Sequence, residues 1–296
     1  MMLHYRRIIH WSLITMPKLL ITDLDNTLYD WVSFFSQSFE VMVDSIVEIT
    51  SIDKNILLRD FKDIHQKYNS SERPYAALEV KAITDYYGTT DKDILKRELA
   101  PAFFNFSETR QKTLKLYGGV AETLSKLRAH GVIVVGHTES YDVNAVYRAK
   151  KLGLDKYLNH LYTIGSNSSS HPDKAKPLID PIDAAWVVKL PEEERKPNPR
   201  LVLDICRREG VALSDTYYIG DSIVKDISMA NAAGVNSVWA KYGKDFQSAN
   251  WKLLVSITHW SDEDVKIEED LKAMYSRETP MFEVSSFSGL QKIFNV

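Results

Sequence analysis

Short apolar runs recur along the chain with helical patterns between them, and few architectures accommodate that alternation. The runs are Lys18–Thr22, Val132–Val135, Leu161–Ile164, Thr216–Ile219 and Val235–Ala240. Each is too short for a helix and is rich in leucine, β-branched or aromatic residues, so each reads as a buried strand. Val120, Leu124 and Leu127 share one helical face ahead of Gly131, and Val143–Lys151 reads as a helix that stops before Gly153. Asn198 followed by Pro199 reads as an N-cap and first helical position, with the helix running to about Glu209 and Gly210 beyond. A further helix through Ala230 and Ala233 stops at Gly234. This alternation predicts an α/β fold: a parallel sheet with helices on both faces.

One stretch departs from it. From Trp31 to about Leu116, apolar residues fall at helical spacing (Phe39, Val43, Ile46, Val47; then Leu78, Ala82, Ile83) and strand signals are few. It is expected to be an all-helical insertion after the first strand. The organisation is therefore a main domain of residues 16–30 and 117–296 and a small helical domain of 31–116. Aromatics in the insertion, among them Phe34, Phe35, Tyr86 and Phe104, are expected mostly to pack its own core. Residues 1–15 are expected to be a disordered or poorly packed extension, with Met16 as the working start. Gly165–Pro177, rich in Ser, Asn and Pro, reads as an exposed loop, and the acidic tail from Ser261 as ending in a short strand and helix.

Composition narrows the functions. A formal net charge of −3 carries no basic signature for nucleic-acid binding. No uninterrupted apolar run is long enough to span a bilayer. The single cysteine, Cys206, excludes an internal disulfide, fits a reducing, cytoplasmic setting and reads as a buried small hydrophobe.

Four separated elements carry chemistry. Asp23-Leu24-Asp25-Asn26-Thr27 follows the first predicted strand, at the sheet edge where open α/β folds bind ligands. In an extended chain Asp23 and Asp25 point the same way, and two close carboxylates call for a compensating cation. Val135-Gly136-His137-Thr138 ends a strand in a hydroxyl suited to a phosphate oxygen, with His137 as a packing residue. Lys196-Pro197-Asn198-Pro199 places a point charge before a helix, and Lys176-Pro177 is a competing candidate. Gly220-Asp221-Ser222, with Asp226 in the following turn, would bring two more carboxylates to the same edge.

Asp23-Leu24-Asp25-Asn26-Thr27-Leu28-Tyr29-Asp30 resembles the first motif of the haloacid dehalogenase superfamily. Gly220-Asp221-Ser222 with Asp226-Ile227 resembles its fourth, and Thr138 and Lys196 fall in order for its second and third. The resemblance covers about Lys18–Ala240 and makes the insertion similar to the family's C1-type cap on a Rossmann-like core. It implies that Asp23 is the nucleophile, Asp25 the general acid/base, Thr138 the phosphoryl-holding hydroxyl and Lys196 the neutralising cation. Mg²⁺ would be held by Asp23, the Asp25 main-chain carbonyl and Asp221, with Asp226 binding a metal water or fixing Lys196. Tyr29 and Trp31, leading into the hinge, are candidate substrate contacts. So is Glu139, which stands where relatives often carry Asn and would repel phosphate unless it points away or meets a cation. The presence of Asp25 favours a phosphatase or a phosphomutase, the leading expectation being a phosphomonoester hydrolase of a small phosphorylated metabolite. The alternatives are a mutase and a non-catalytic binding protein on the same scaffold. The Asp-Asn-Thr-Leu-Tyr string is also similar to pyrimidine 5'-nucleotidase-type relatives.

Overall fold

The computed structural model describes residues 16–68, 70–73, 75–165, 185–191, 193–258, 266, 270, 273, 274 and 278–296. The expected N-terminal extension, most of the loop from Gly165, the Lys176-Pro177 candidate and much of the acidic tail lie outside the described residues.

Seven parallel strands form one sheet: β1 (Leu19–Thr22), β2 (Ile133–Tyr141), β3 (His160–Ile164), β4 (Val187–Leu190), β5 (Thr216–Gly220), β6 (Asn236–Ala240) and β7 (Phe282–Val284). Their order is β4-β3-β2-β1-β5-β6-β7. The chain builds outward from β1 in one direction and then returns to build outward in the other, which leaves a switch point beside β1. β1 pairs with β2 on one side and β5 on the other. It is therefore the most enclosed strand, and its apolar residues Leu19, Leu20 and Ile21 are fully buried.

Side-chain alternation divides the core between the two faces. Leu20, Val134, Tyr217 and Ile219 join one cluster, whereas Leu19, Ile21, Val135 and Tyr218 join another. The second cluster is covered by α8 (Pro199–Glu209) and α9 (Ser228–Ala233), through Val202, Ile205, Cys206, Met229 and Ala230. Cys206 is indeed a buried free thiol. The first cluster is covered by α6 (Val120–Ala129), α7 (Asp142–Lys151) and the C-terminal α11 (Gly289–Phe294), and continues into the insertion. The sequence pattern does not mark β4, whose residues run from the buried Val187 to the exposed Lys189 at the sheet edge.

The insertion holds α1 (Trp31–Thr50), α2 (Lys54–Lys67), α3 (Lys81–Tyr87), α4 (Lys92–Glu98) and α5 (Ala100–Thr113). Asp30 caps α1 by accepting from Ser33 N–H at 2.8 Å. Phe34, Phe35, Phe39, Met42, Val43 and Ile46 form the buried stripe of α1, facing Phe61, Leu95 and Leu99. Phe104 and Tyr86 are exposed. The two chain crossings that join the insertion to the sheet domain lie side by side. Tyr29 bridges Leu116, and Tyr117 N–H donates to the Leu28 carbonyl at 2.9 Å. Helix α10 (Ser248–Ile257), which the sequence places with the sheet domain, packs on the insertion: Ser36 Oγ donates to the Asn250 carbonyl at 2.9 Å.

The enclosure of β1 makes a definite expectation. Ile21→Ala should lower unfolding free energy by about 2–5 kcal/mol. The readout is a lower urea midpoint with an unchanged slope; an unmoved midpoint would show that the β1 layer contributes little.

Candidate active site

Strand register delivers the candidate groups to one edge. Thr22 lies level with Gly136 of β2 and Ile219 of β5, so Asp23 leaves the end of β1 level with His137 and Gly220 of the flanking strands. Asp23 N–H still donates to the Ile219 carbonyl at 2.9 Å, which fixes the start of the loop. Asn26 then turns the chain with φ 59°, and its side-chain oxygen accepts from Trp31 N–H at 3.1 Å, steering the backbone into α1.

Lys196 arrives from the turn before α8 and is buried. Its ammonium donates to Asp23 Oδ1 at 2.7 Å, to Asp226 Oδ1 at 2.9 Å and to the His137 carbonyl at 3.2 Å. Burial pulls its pKa down, but Asp226 and Asp23 more than offset that and hold it well above the usual lysine range. Thr27 Oγ donates to Asp23 Oδ2 at 3.0 Å, so both nucleophile-candidate oxygens are held. Burial pushes the Asp23 carboxyl up to about 7 against the opposing pull of Lys196. Asp221 is raised well above the carboxylate range by burial and by Asp226 and Asp23. One carboxylate oxygen each from Asp23, Asp221 and Asp226 lies within 4.8 Å of the others.

Two glycines make this convergence possible. A Cβ on Gly220 would stand 2.3 Å from Asp226 Cγ, so the Asp226 carboxyl rests on a bare Cα while Oδ2 accepts from Ser222 N–H at 3.0 Å. The sequence had suggested Gly220 as a turn former; close approach is the actual requirement. Gly243, beyond β6, likewise leaves room for the Asn26 carbonyl and Asp221 Cβ, which its own Cβ would meet at 2.2 and 2.5 Å. Nothing in the sequence pattern had pointed to it.

Asp25 is turned away from this cluster. Tyr29 OH donates to its Oδ1 at 2.5 Å, and Ser140 Oγ and Thr138 Oγ donate to its Oδ2 at 2.9 and 3.4 Å. Arg148 of α7, also fully buried, lies 3.5 Å from both Asp25 oxygens. Tyr29 is wholly buried inside this network rather than lining a cleft. Trp31 stacks on Phe35 with centroids 5.2 Å apart and donates through its indole N–H to Glu72 at 2.5 Å. Glu139 meets the condition set for it: its carboxylate accepts from Lys196 N–H at 3.0 Å and Lys225 Nζ at 2.7 Å. Burial works against its charge, but Lys225 and Lys196 prevail and keep it below the usual range. His137 is a packing group, its Nδ1 3.0 Å from Tyr218 OH and its pKa driven well below normal by burial.

Arg148, Ser140 and Glu72 were not found from the sequence. The one available signal was Arg148 itself, an arginine between Ala145 and Ala149 on the apolar side of a predicted helix.

A carboxylate held by a lysine beside two further carboxylates, at the switch point of a parallel sheet with an insertion after β1, is a hydrolase architecture. A family model described as haloacid dehalogenase-like hydrolase matches residues 17–234, and the chain belongs to that family. It is similar to a glyceraldehyde 3-phosphate phosphatase of Methanopyrus kandleri, at 23% identity over 77% of this chain and 86% of the relative. It is also similar to a phosphoglycolate phosphatase of Pseudomonas syringae pv. tomato, at 24% identity over 77% of this chain and 71% of the relative. A solved 2-haloacid dehalogenase from Pseudomonas syringae pv. tomato DC3000 shares the fold, with a TM-score of 0.55, 17% identity and coverage of 95% of this chain and 99% of that one. Among the described residues no helix is long and apolar enough to cross a membrane.

Asp23 should leave a mark on stability. Its folded pKa of about 7 stands above the ordinary 3.8, so the folded state holds the proton more tightly. The resulting stability is full below the lower value and is lost as pH rises through the upper one. In chelator-treated protein, urea unfolding from pH 4 to 7 should lose about 2–4 kcal/mol from this group. Asp23→Asn should reduce that slope, and an identical slope in the variant would disprove the assignment.

Proposed function

We propose that this chain is a Mg²⁺-dependent phosphatase that hydrolyses a small phosphorylated metabolite through an aspartyl-phosphate on Asp23. The observation that carries the reading is the setting of the Asp23 carboxylate, with Lys196 at 2.7 Å and the carboxylates of Asp221 and Asp226 beside it. The two relatives named phosphatases point the same way.

The donor set suits magnesium. It is all oxygen, as a hard cation demands. Lys196 lies between Asp23 and Asp226, whereas the Asp221 carboxylate makes no hydrogen bond or ion pair among the described residues. Asp23, Asp221 and Asp226, with the Asp25 main-chain carbonyl, would hold the ion. When bound, it supplies positive charge that offsets the phosphate and Asp23 anions.

The protein's own groups do the rest. An Asp23 oxygen attacks phosphorus while the ester P–O bond breaks, and Asp25 gives its proton to the departing oxygen. Lys196 neutralises the approaching anions, and the Thr138 hydroxyl donates to a phosphoryl oxygen in place of its 3.4 Å bond to Asp25. Asp25 then takes a proton from the water that attacks the aspartyl-phosphate, which frees phosphate and restores Asp23. The 31–116 insertion acts as the cap that shields this sequence from bulk water and selects the leaving group.

Purified protein should release phosphate from p-nitrophenyl phosphate with Mg²⁺ and stop on adding a chelator; equal rates in both conditions would remove the metal from the reading. Asp23→Asn should reduce turnover by on the order of a thousandfold or more with the circular dichroism spectrum unchanged. Retained turnover would mean that another group is the nucleophile. Bisphosphate-dependent isomerisation with little phosphate release would instead identify a mutase.

A further inference from the structure

The Asp25 network extends past the reacting groups and into the insertion. Arg148 belongs to α7 of the sheet domain, and its guanidinium uses every edge. Nε donates to Tyr29 OH at 2.8 Å, one Nη to Ser140 Oγ at 2.5 Å and the other Nη to Glu72 Oε1 at 2.5 Å. Tyr29 and Ser140 are the two groups that bond the Asp25 carboxylate most closely, at 2.5 and 2.9 Å. Arg148 itself stays 3.5 Å from Asp25. The guanidinium therefore grips the two hydroxyls that grip Asp25, and its tightest ionic contact is with Glu72.

Glu72 belongs to the segment after α2, within the insertion. Trp31 Nε1 shares its Oε1, and its main-chain carbonyl accepts from Asn144 Nδ2 of α7 at 3.2 Å. A planar fork that satisfies partners on both sides fixes geometry in a way a point charge cannot. A buried arginine must also find compensating charge, and only two carboxylates, Asp25 and Glu72, pair with it among the described residues. Whatever Glu72 supplies, Asp25 does not have to.

We propose that Arg148 is a positioning residue that aims the Asp25 carboxyl group at the leaving oxygen, and that Glu72 of the insertion holds Arg148 where it can do so. The proposal rests on the reading of Asp25 as proton donor. With Glu72 docked, Arg148 holds Glu72, Tyr29 and Ser140 closely and reaches Asp25 only at 3.5 Å, and the Asp25 carboxyl faces the substrate on the hydroxyls of Tyr29, Ser140 and Thr138. Without Glu72, the guanidinium closes on Asp25 and takes its carboxylate as a direct ionic partner. Docking of the insertion thereby sets whether the proton donor is correctly aimed.

The discriminating measurement is dependence on the leaving group. Loss of an aimed proton donor harms substrates that expel a basic alkoxide far more than those that expel a stable nitrophenolate. kcat/KM is the quantity to compare, because it reports the step that expels the leaving group. For Tyr29→Phe, Glu72→Gln and Arg148→Lys, kcat/KM for an alkyl phosphate such as glycerol phosphate should fall about tenfold or more beyond the fall for p-nitrophenyl phosphate. Tyr29→Phe and Glu72→Gln keep shape and volume, so they decide the matter even where Arg148→Lys fails to fold. A purely structural role would lower both substrates equally, and that result overturns the proposal. Asp25→Asn calibrates the series. If it is selective and the three variants are not, the positioning role alone is wrong. If Asp25→Asn is itself unselective, Asp25 is not the proton donor, and both readings fall together.

Discussion

The site depends on one buried ammonium group. Three carboxylates within 4.8 Å of one another would repel strongly in a low-dielectric pocket. Lys196 contacts two of them, at 2.7 and 2.9 Å, and is anchored by the His137 carbonyl. A buried pair of this kind gains little over an apolar core of the same shape. Its value lies in holding charge where folding alone would expel it. The glycines at 220 and 243 are consequences of the same crowding, since they let the Asp226 and Asp221 side chains lie against backbone.

The insertion is not a loosely tethered appendage. Its two crossings pair with each other through Leu28–Tyr29 and Leu116–Tyr117, and α10 returns from the sheet domain to pack on it. Its apolar core is continuous with one face of the sheet. At Glu72 a charged group of the insertion meets the polar machinery, through Arg148. Apolar contact holds the two parts together without directional preference, whereas the guanidinium fork imposes one geometry.

Much of this could be read in advance, for identifiable reasons. The β1 and β5 strands are buried on both faces, and so is β2 from Val134 to Thr138, so the apolar runs at β1, β5 and the start of β2 are nearly uninterrupted. Asn198-Pro199 and Gly210 mark the ends of α8 because capping is local chemistry; Asn198 accepts from Arg200 N–H at 3.1 Å and Gly210 has φ 69°. Strand β4 escaped because an edge strand with a half-exposed face loses that signal. Tyr29 was a candidate substrate contact because it leads into the hinge, yet it lies wholly buried beside Arg148 and Asp25.

The sequence alone determined the strand–helix alternation, the insertion after β1, and the residue types at Asp23, Asp25, Thr138, Lys196, Asp221 and Asp226. These follow from local periodicity, capping and short-range spacing, which neighbours in the chain dictate. Tertiary structure decided which way the carboxylates face. Asp23 joins Asp221 and Asp226 around Lys196, whereas Asp25, two residues on, is drawn aside by Tyr29, Ser140 and the Arg148–Glu72 pair. Tyr29 is a near neighbour in the chain, but Ser140 comes from β2, Arg148 from a distant helix and Glu72 from the insertion. A side chain's orientation depends on what the folded chain brings beside it, and no local pattern encodes that.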